Sequence, residues 1–417
     1  MNQYGNLLRN LAICRKKTIL VFIGISFLRS IYPVTFHAES CSQADVQAAI
    51  NLASDGDTVL VPRGTCEYVS GTANAPSVTI DKAIILLGAG IDRTVIVDMT
   101  GKLNNQDPVY LSVSGIRLSG IAFRGMIKRN AAEPAIKVGR KEQFHIENCK
   151  FIANSSNPGR GIVTYARTGL INNCEFINCK QGIAIFGTGD EAWTSGLNLG
   201  SSEFVFVEDC AFNYDSPQDG AVDAYNGAKY IFRNNTCRNT HTGHHGRDSG
   251  SYRSTHSFEI YDNVFQSSLS TGQRAFHFRG GTGVVYNNVF SGNYDGFDIT
   301  NYRSCSSFPP CESCDGTSSC DGNTESNGYP CQDQIGRTGD GMDAGGLQDL
   351  EPLYEWNNSR NGRNLNISIV DPCGRVVDHI QPNRDFYPDT MRPDYQPFRY
   401  PHPLRSAGPA VDFHIID

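Results

Sequence analysis

Short alternations of apolar and polar residues recur along the middle of the chain, as in Phe144-His145-Ile146-Glu147-Asn148 and Phe258-Glu259-Ile260-Tyr261-Asp262. A period of two predicts strands with one buried face. Such stretches lead into short units that align with one another: Ile121-Ala122-Phe123, Cys149-Lys150-Phe151, Cys174-Glu175-Phe176, Cys210-Ala211-Phe212, Asn235-Thr236-Cys237, Asn263-Val264-Phe265 and Asn288-Val289-Phe290. Their first residues are spaced by 28, 25, 36, 25, 28 and 25 residues, a period that marks a solenoid. With no helices between them, these strands are predicted to wind into coils that stack in parallel. The longest interval carries an insertion, placed at 187–200.

Stacking puts equivalent residues one strand spacing apart, so like residues form ladders. The Cys149, Cys174, Cys210, Asn235, Asn263, Asn288 column and the phenylalanine column beside it read as core: buried thiols behave as small apolar groups, and stacked amides satisfy one another. A helix over 42–54, in which Ala44, Val46, Ala48, Ala49, Ile50, Leu52 and Ala53 recur at helical spacing, caps the first coil.

A second strand of each coil aligns as Ile136-Lys137-Val138, Ile162-Val163-Thr164-Tyr165, Ile183-Ala184-Ile185-Phe186, Val222-Asp223-Ala224-Tyr225, Phe276-His277-Phe278-Arg279 and Phe297-Asp298-Ile299-Thr300. The first and third residues of each point inward, leaving an outward face that is apolar and aromatic at one end and ionisable at the other. The coil between Tyr225 and Phe276 contains His241-Thr242-Gly243-His244-His245-Gly246-Arg247-Asp248. A seven-residue gap after Cys237, as in two neighbouring coils, turns His245 and Arg247 outward, and a one-residue slip exposes His244 instead, so the two histidines form a single candidate. The predicted row is Asp223, His245, His277 and Asp298, flanked by Tyr225, Arg247 and Arg279, with Arg253, His256 and Arg274 along its edge.

Ahead of the repeat, Arg15, Lys16 and Lys17 run into an apolar stretch at 18–28, the pattern of a secretory signal, assigned to 1–38. Without that segment the net charge falls from -7 to -12. An acidic chain lacks the basic imprint of nucleic-acid or anionic-membrane binding, and no later segment is long enough to span a bilayer. Thirteen cysteines follow the signal, and export to an extracellular or periplasmic space favours disulfides over metal sites. Cys41 and Cys66 are candidates to staple the N-terminal cap. Cys305, Cys311, Cys314, Cys320, Cys331 and Cys373 form a second group whose connectivity stays open. The expected divisions are a β-helix over 39–303, a Cys-rich loop over 304–335 and a tail over 336–417 that packs on the solenoid, where Trp356, Tyr395 and Tyr400 serve chiefly as packing aromatics. Oligomeric state is not legible.

The run Asp55-Gly56-Asp57-Thr58-Val59-Leu60-Val61-Pro62-Arg63-Gly64-Thr65 resembles the opening of the pectin-lyase-like superfamily of right-handed parallel β-helices, a likeness covering about residues 41–303. The stretches 328–337 and 400–404 resemble segments of exported bacterial β-helix repeat proteins. The resemblance implies an all-β, single-stranded right-handed parallel β-helix that works on polysaccharide, without fixing a reaction. Gly243-His244-His245-Gly246 is similar to a polygalacturonase signature, but that family's paired-aspartate and Arg-Ile-Lys motifs are absent, as is the Trp-Ile-Asp-His motif of pectate lyases.

The residues themselves favour a lyase acting on a uronate-containing glycan. In this scheme His245 or His244 is the base, Arg247 and Arg279 neutralise the carboxylate, and the resemblance to β-helix lyases implies Tyr225 as the acid that protonates the leaving oxygen. His277, Asp223, Asp298, Arg253 and Arg274 complete the candidate site. A glycoside hydrolase of the same fold is an alternative: hydrolysis needs two carboxyls about 5 to 10 Å apart, and since Asp223 and Asp298 sit three coils apart, roughly 14 Å, Asp219 or Asp248 would supply the partner. Glycan binding without turnover is the rival reading. No cofactor is implied; His241, His244, His245 and Asp248 match no standard zinc spacing, and calcium at exposed aspartates stays open.

Overall fold

The computed structural model describes residues 32–69, 75–100, 107–127, 134–247, 252–301, 314, 331–339, 348–365, 367–371 and 376–405. Alternating stretches become strands that pair in parallel with their counterparts one coil away, as Phe144–Glu147 does with Gly169–Asn172. Three long sheets result, of twelve, eleven and ten strands among the described residues. The chain is a right-handed parallel β-helix.

Passage from the first sheet to the second turns on one residue. Asn148, Asn173, Asp209, Asn234, Asp262 and Asn287 all adopt left-handed backbone, with φ between 49° and 57°. Asn and Asp tolerate this region best among residues with a side chain. The residue that follows each bend is the head of a repeat unit. Asn263 Nδ2 donates to the Oδ1 of Asn288 at 2.9 Å, and Asn235 Nδ2 to that of Asn263 at 3.0 Å. Cys149, Cys174 and Cys210 occupy the same column as buried thiols. Beside it Phe123, Phe151, Phe176 and Phe212 stack at centroid distances of 5.5, 4.8 and 4.7 Å, and Phe265 stacks on Phe290 at 4.4 Å. Cys237 stands in the phenylalanine column between Phe212 and Phe265.

The solenoid extends beyond the expected limit at 303. Leu353–Trp356 pairs with Thr282–Tyr286, Ser359–Arg360 with Val289–Gly292, and Ile367–Ile369 with Phe297–Ile299, so one further coil is built from the segment assigned to the tail. Asn358 continues the asparagine ladder, accepting from Asn288 Nδ2 at 2.8 Å. It lies 70 residues after Asn288, and that long excursion hides the repeat.

At the N-terminal end the helix Gln43–Leu52 is capped by Ser42, whose hydroxyl accepts from the Asp45 N–H at 3.2 Å. Cys41 and Cys66 form a disulfide. Contacts divide the chain between Pro33 and Val34, and Thr35–His37, inside the segment assigned to the signal, pairs with Thr58–Val61. Cys314 and Cys331 are bonded, while Cys305, Cys311, Cys320 and Cys373 lie outside the described residues. The segment 395–404 packs on the outer face of the first sheet: Tyr395, Phe398 and Leu404 join a cluster with Phe206, Tyr261, Tyr286 and Trp356. Among the described residues no helix is long and apolar enough to cross a membrane.

Candidate active site

The third sheet carries the second strand of each coil, and its registers fix two outward columns. The first runs Lys137, Val163, Ala184, Asp223, Gly243, His277, Asp298 and Ser368. In the second, Phe186 pairs with Tyr225. Continuing the neighbouring registers by one residue or two places Tyr165 before them and His245, Arg279 and Thr300 after them. Rings confirm the order: Tyr165 to Phe186, Phe186 to Tyr225 and Tyr225 to His245 stack at 4.9, 4.6 and 4.0 Å. Their faces are occupied by one another, so this ladder is a wall ending in an imidazole and not a platform for sugar rings.

The histidine coil departs from expectation by two residues. The connection from Cys237 to the first inward residue, Thr242, is five residues long and not seven. A shift of two keeps each side chain on its face, because the pleat repeats every second residue. His245 therefore points outward, but beside Tyr225, and Gly243 holds the place in the Asp223 column. Arg247 lies two residues beyond the place expected for it. His244 is core: fully buried, it stacks on Phe278 at 4.0 Å and its Nε2 lies 2.5 Å from the Tyr230 hydroxyl. Burial, with Arg279 nearby, pushes its pKa well down, and it cannot reach a substrate.

Asp223 is the hub of the outward face. His245 Nε2 lies 3.3 Å from its Oδ2, Gln181 Nε2 donates to the same oxygen at 2.5 Å, and the Tyr225 hydroxyl donates to it as well. Burial pushes the Asp223 carboxyl up, but His245, Tyr225 and Arg279 outweigh it and hold the group below the usual carboxylate range. Burial and the Asp223 charge push the Tyr225 hydroxyl well above its ordinary value. Its proton is committed to Asp223, so it holds the carboxylate and is poorly placed to protonate a leaving group.

Two further imidazoles line the face. Burial, with Arg274 and Arg279 adding positive charge, takes His277 down to about 2. Burial takes His241 down to about 4 against the pull of Asp223. Both stay neutral near pH 7. His241 Nε2 lies 3.9 Å from the point where a Cβ on Gly243 would stand, which brings His241 into the site. Arg274 Nε pairs with Asp298 at 3.2 Å, and Arg279 Nε donates to the His244 carbonyl at 2.8 Å. Burial raises the Asp298 carboxyl against Arg274 and the Ser368 hydroxyl.

Arg253, expected at the edge of the row, is instead buried. Its guanidinium binds Asp333 through Nε and Nη2 at 2.8 Å, pairs with Asp190 at 2.9 Å and lies 5.0 Å from the Trp193 ring. It ties the insertion to the segment after 330 and is not available for a ligand. His256 is likewise buried, edge-on to Trp193.

Gln181, Arg160 and His241 complete the arrangement without having been singled out as site residues. Arg160 and Gln181 are the first residues of strands Arg160–Thr164 and Gln181–Phe186, two residues ahead of the aligned positions; Lys180-Gln181-Gly182 and Gly159-Arg160-Gly161 carry no marker beyond polar residues beside glycine. Among the described residues no group of three or more His, Cys, Asp or Glu is placed to hold a metal ion. A cleft of about 800 Å³ opens elsewhere, lined by Trp193, Asp349, Glu351 and Arg392, but Arg392 and Glu351 pair with each other at 2.9 Å.

No protein-family model and no curated sequence matches the chain. Among solved structures it is similar to an alginate lyase from Paenibacillus sp. str. FPU-7, at 11% identity and a TM-score of 0.41 over 81% of this chain and 99% of that one. A pectin methylesterase mutant in complex with a hexasaccharide aligns at 10% identity and a TM-score of 0.38, over 83% and 95% of the two chains. The A-module of a mannuronan C-5 epimerase from Azotobacter vinelandii aligns at 15% identity and a TM-score of 0.28, over 60% and 91%. These identities are too low to transfer residues.

Proposed function

We propose that the protein is an exported polysaccharide lyase acting on a uronate-containing glycan. The observation that carries this reading is the juxtaposition on one outward face of a carboxylate-backed imidazole, Asp223 with His245, and two guanidiniums, Arg274 and Arg279, on the next coil. A uronate carboxylate set against Arg279 and Arg274 makes the proton on the adjoining carbon removable, because the charge that develops on the carboxylate is neutralised. His245 takes that proton, the electron pair forms the C4–C5 double bond, and the C4–oxygen bond breaks. His245 then returns the proton to the departing oxygen. Asp223 orients the imidazole and stabilises its charged form, while Tyr225 and Gln181 hold Asp223.

Neutral His241 and His277 add hydrogen-bonding capacity without competing for the uronate charge. The register supports elimination over hydrolysis, since Asp223 and Asp298 are separated by Gly243 and His277, three strand spacings or roughly 14 Å. Incubation with a panel of uronate polymers, followed by the ultraviolet absorbance of the C4–C5 double bond, tests the reading. Rising absorbance on at least one polymer is expected; binding with no rise on any would favour a glycan-binding protein.

A further inference from the structure

The segment 395–405 crosses the outer face of the first sheet, and its stretch 398–405 is pinned there by charged side chains. Arg233 donates to the carbonyls of Phe398 and Arg399 at 2.6 and 3.0 Å. Arg405 pairs with Glu208 at 2.8 Å and with Asp209, and the Tyr400 hydroxyl donates to Asp209 at 2.9 Å. Among these groups stands His402, 7% exposed. Its backbone N–H donates to Glu208 at 3.1 Å, and its ring packs on Phe206 and Phe398 at centroid distances of 4.4 and 5.4 Å.

One bond of that ring requires its neutral form. Nδ1 accepts the Leu404 backbone N–H at 3.1 Å, closing a turn over two residues in the way an Asn or Asp side chain does. An imidazolium has two donors and no acceptor, so the bond exists only while His402 is uncharged. The surroundings oppose the charge as well. Burial, with Arg233, His145, Arg399 and Arg405 nearby, takes the His402 pKa from 6.5 down to about 4. The carboxylates of the cluster are already engaged: Glu208 by Arg233, Arg405 and the His402 N–H, Asp209 by Arg405 and Tyr400, and Glu147 by Arg117 and His145.

We propose that His402 is an acid-sensitive latch: neutral, it fastens 398–405 to the first sheet, and protonation loosens that stretch from Leu170 and Phe206. Both residues are fully buried, yet they belong to the cluster formed with Phe398 and Leu404 and not to the solenoid core. A histidine whose docked pKa lies below its free value favours docking fully above the free value and loses that preference as pH falls toward the docked one. With values of 6.5 and about 4, docking weakens about 100-fold between pH 7 and pH 4. The loosening stays local, because Tyr395 is bound to Glu259, whose raised pKa makes acid favour the docked state there.

Hydrogen exchange on the full chain tests the latch, read by mass spectrometry over 398–405 and scaled to the exchange rate of free peptide at the same pH. Protection in the wild type should fall about 100-fold from pH 7 to pH 4, while amides of strand Gln181–Phe186 on the third sheet keep theirs. His402→Asn keeps an acceptor for the Leu404 N–H and does not titrate, so its protection should change less than about threefold over that range. His402→Phe fills the space without an acceptor and should be about 5- to 10-fold less protected than the wild type already at pH 7, again with little response to acid. Flat protection in the wild type would overturn the proposal. So would an equal fall in His402→Asn, which would assign the response to the carboxylates Glu208 and Asp209, or a fall shared by Gln181–Phe186, which would mean that the solenoid itself opens.

Discussion

Adjacent histidines at the end of one short strand, Thr242–His244, have opposite fates. His244 is packed between Phe258 and Phe278, at ring distances of 4.2 and 4.0 Å, and is held neutral by burial. His245, one residue on, has a side chain 36% exposed and is paired with Asp223. Period two is the whole cause. His245→Ala should therefore reduce turnover by at least about a thousandfold while barely moving the melting temperature. His244→Phe should keep turnover within about threefold and cost about 1–3 kcal/mol for the Tyr230 hydroxyl left without its partner. Progress curves and denaturant titrations on the two variants check both halves, and equal loss of turnover would mean that the faces are wrongly assigned. Alternation showed that one of the two histidines faces outward without deciding which, and the coil position of His245 was not legible. A connection two residues shorter than the seven-residue gap of the coils used as a guide moved it beside Tyr225 without changing its face. Gln181 and Arg160 were invisible because they open their strands two residues ahead of the aligned positions, where no periodicity marks them.

Each coil is held by a repeated device: a left-handed Asn or Asp bends the chain, and the next residue feeds an axial ladder. Asn263 is fully satisfied, donating to Phe232 and Tyr261 carbonyls and to Asn288 while accepting from both nitrogens of Asn235. Asn263→Ala leaves the backbone N–H of Asn235 and its amide short of partners in a dry interior, which should lower stability by about 3 kcal/mol in equilibrium denaturation. A loss below about 0.5 kcal/mol would show the ladder to be a consequence of stacking and not a support for it. This device also explains how much of the fold could be read in advance. Its spacing of 25 to 36 residues disclosed the coils up to Asn288, but the 70 residues to Asn358 exceed any interval in the series, so the last coil passed for tail.

For the molecule as a whole, the outer face of the first sheet is covered by the segment 395–404, and one acid lies beneath that cover. Glu259 accepts from the Gly200 N–H at 2.6 Å and from the Tyr395 hydroxyl, and burial raises its pKa from 4.5 to about 7 against those bonds and Arg233. An acid whose folded pKa lies above its unfolded one contributes stability fully below the unfolded value and loses it as pH climbs through the folded value. Wild type should thus lose roughly 3 kcal/mol relative to Glu259→Gln between pH 4.5 and pH 7, read as the difference between their melting curves across that range. A constant difference would show that Glu259 is ionised throughout.

The opposite side of the solenoid, the third sheet, carries the central claim: its Asp223–His245 pair and neighbouring guanidiniums open a glycosidic linkage by elimination. Digestion of a uronate polymer in water enriched in oxygen-18, with mass analysis of the fragments, tests this most directly. The account predicts fragments lighter by one water than the hydrolytic products and free of the label, formed by the wild type and lost in His245→Ala. Fragments carrying oxygen-18 at the new ends would mean that water enters the reaction, and would contradict it.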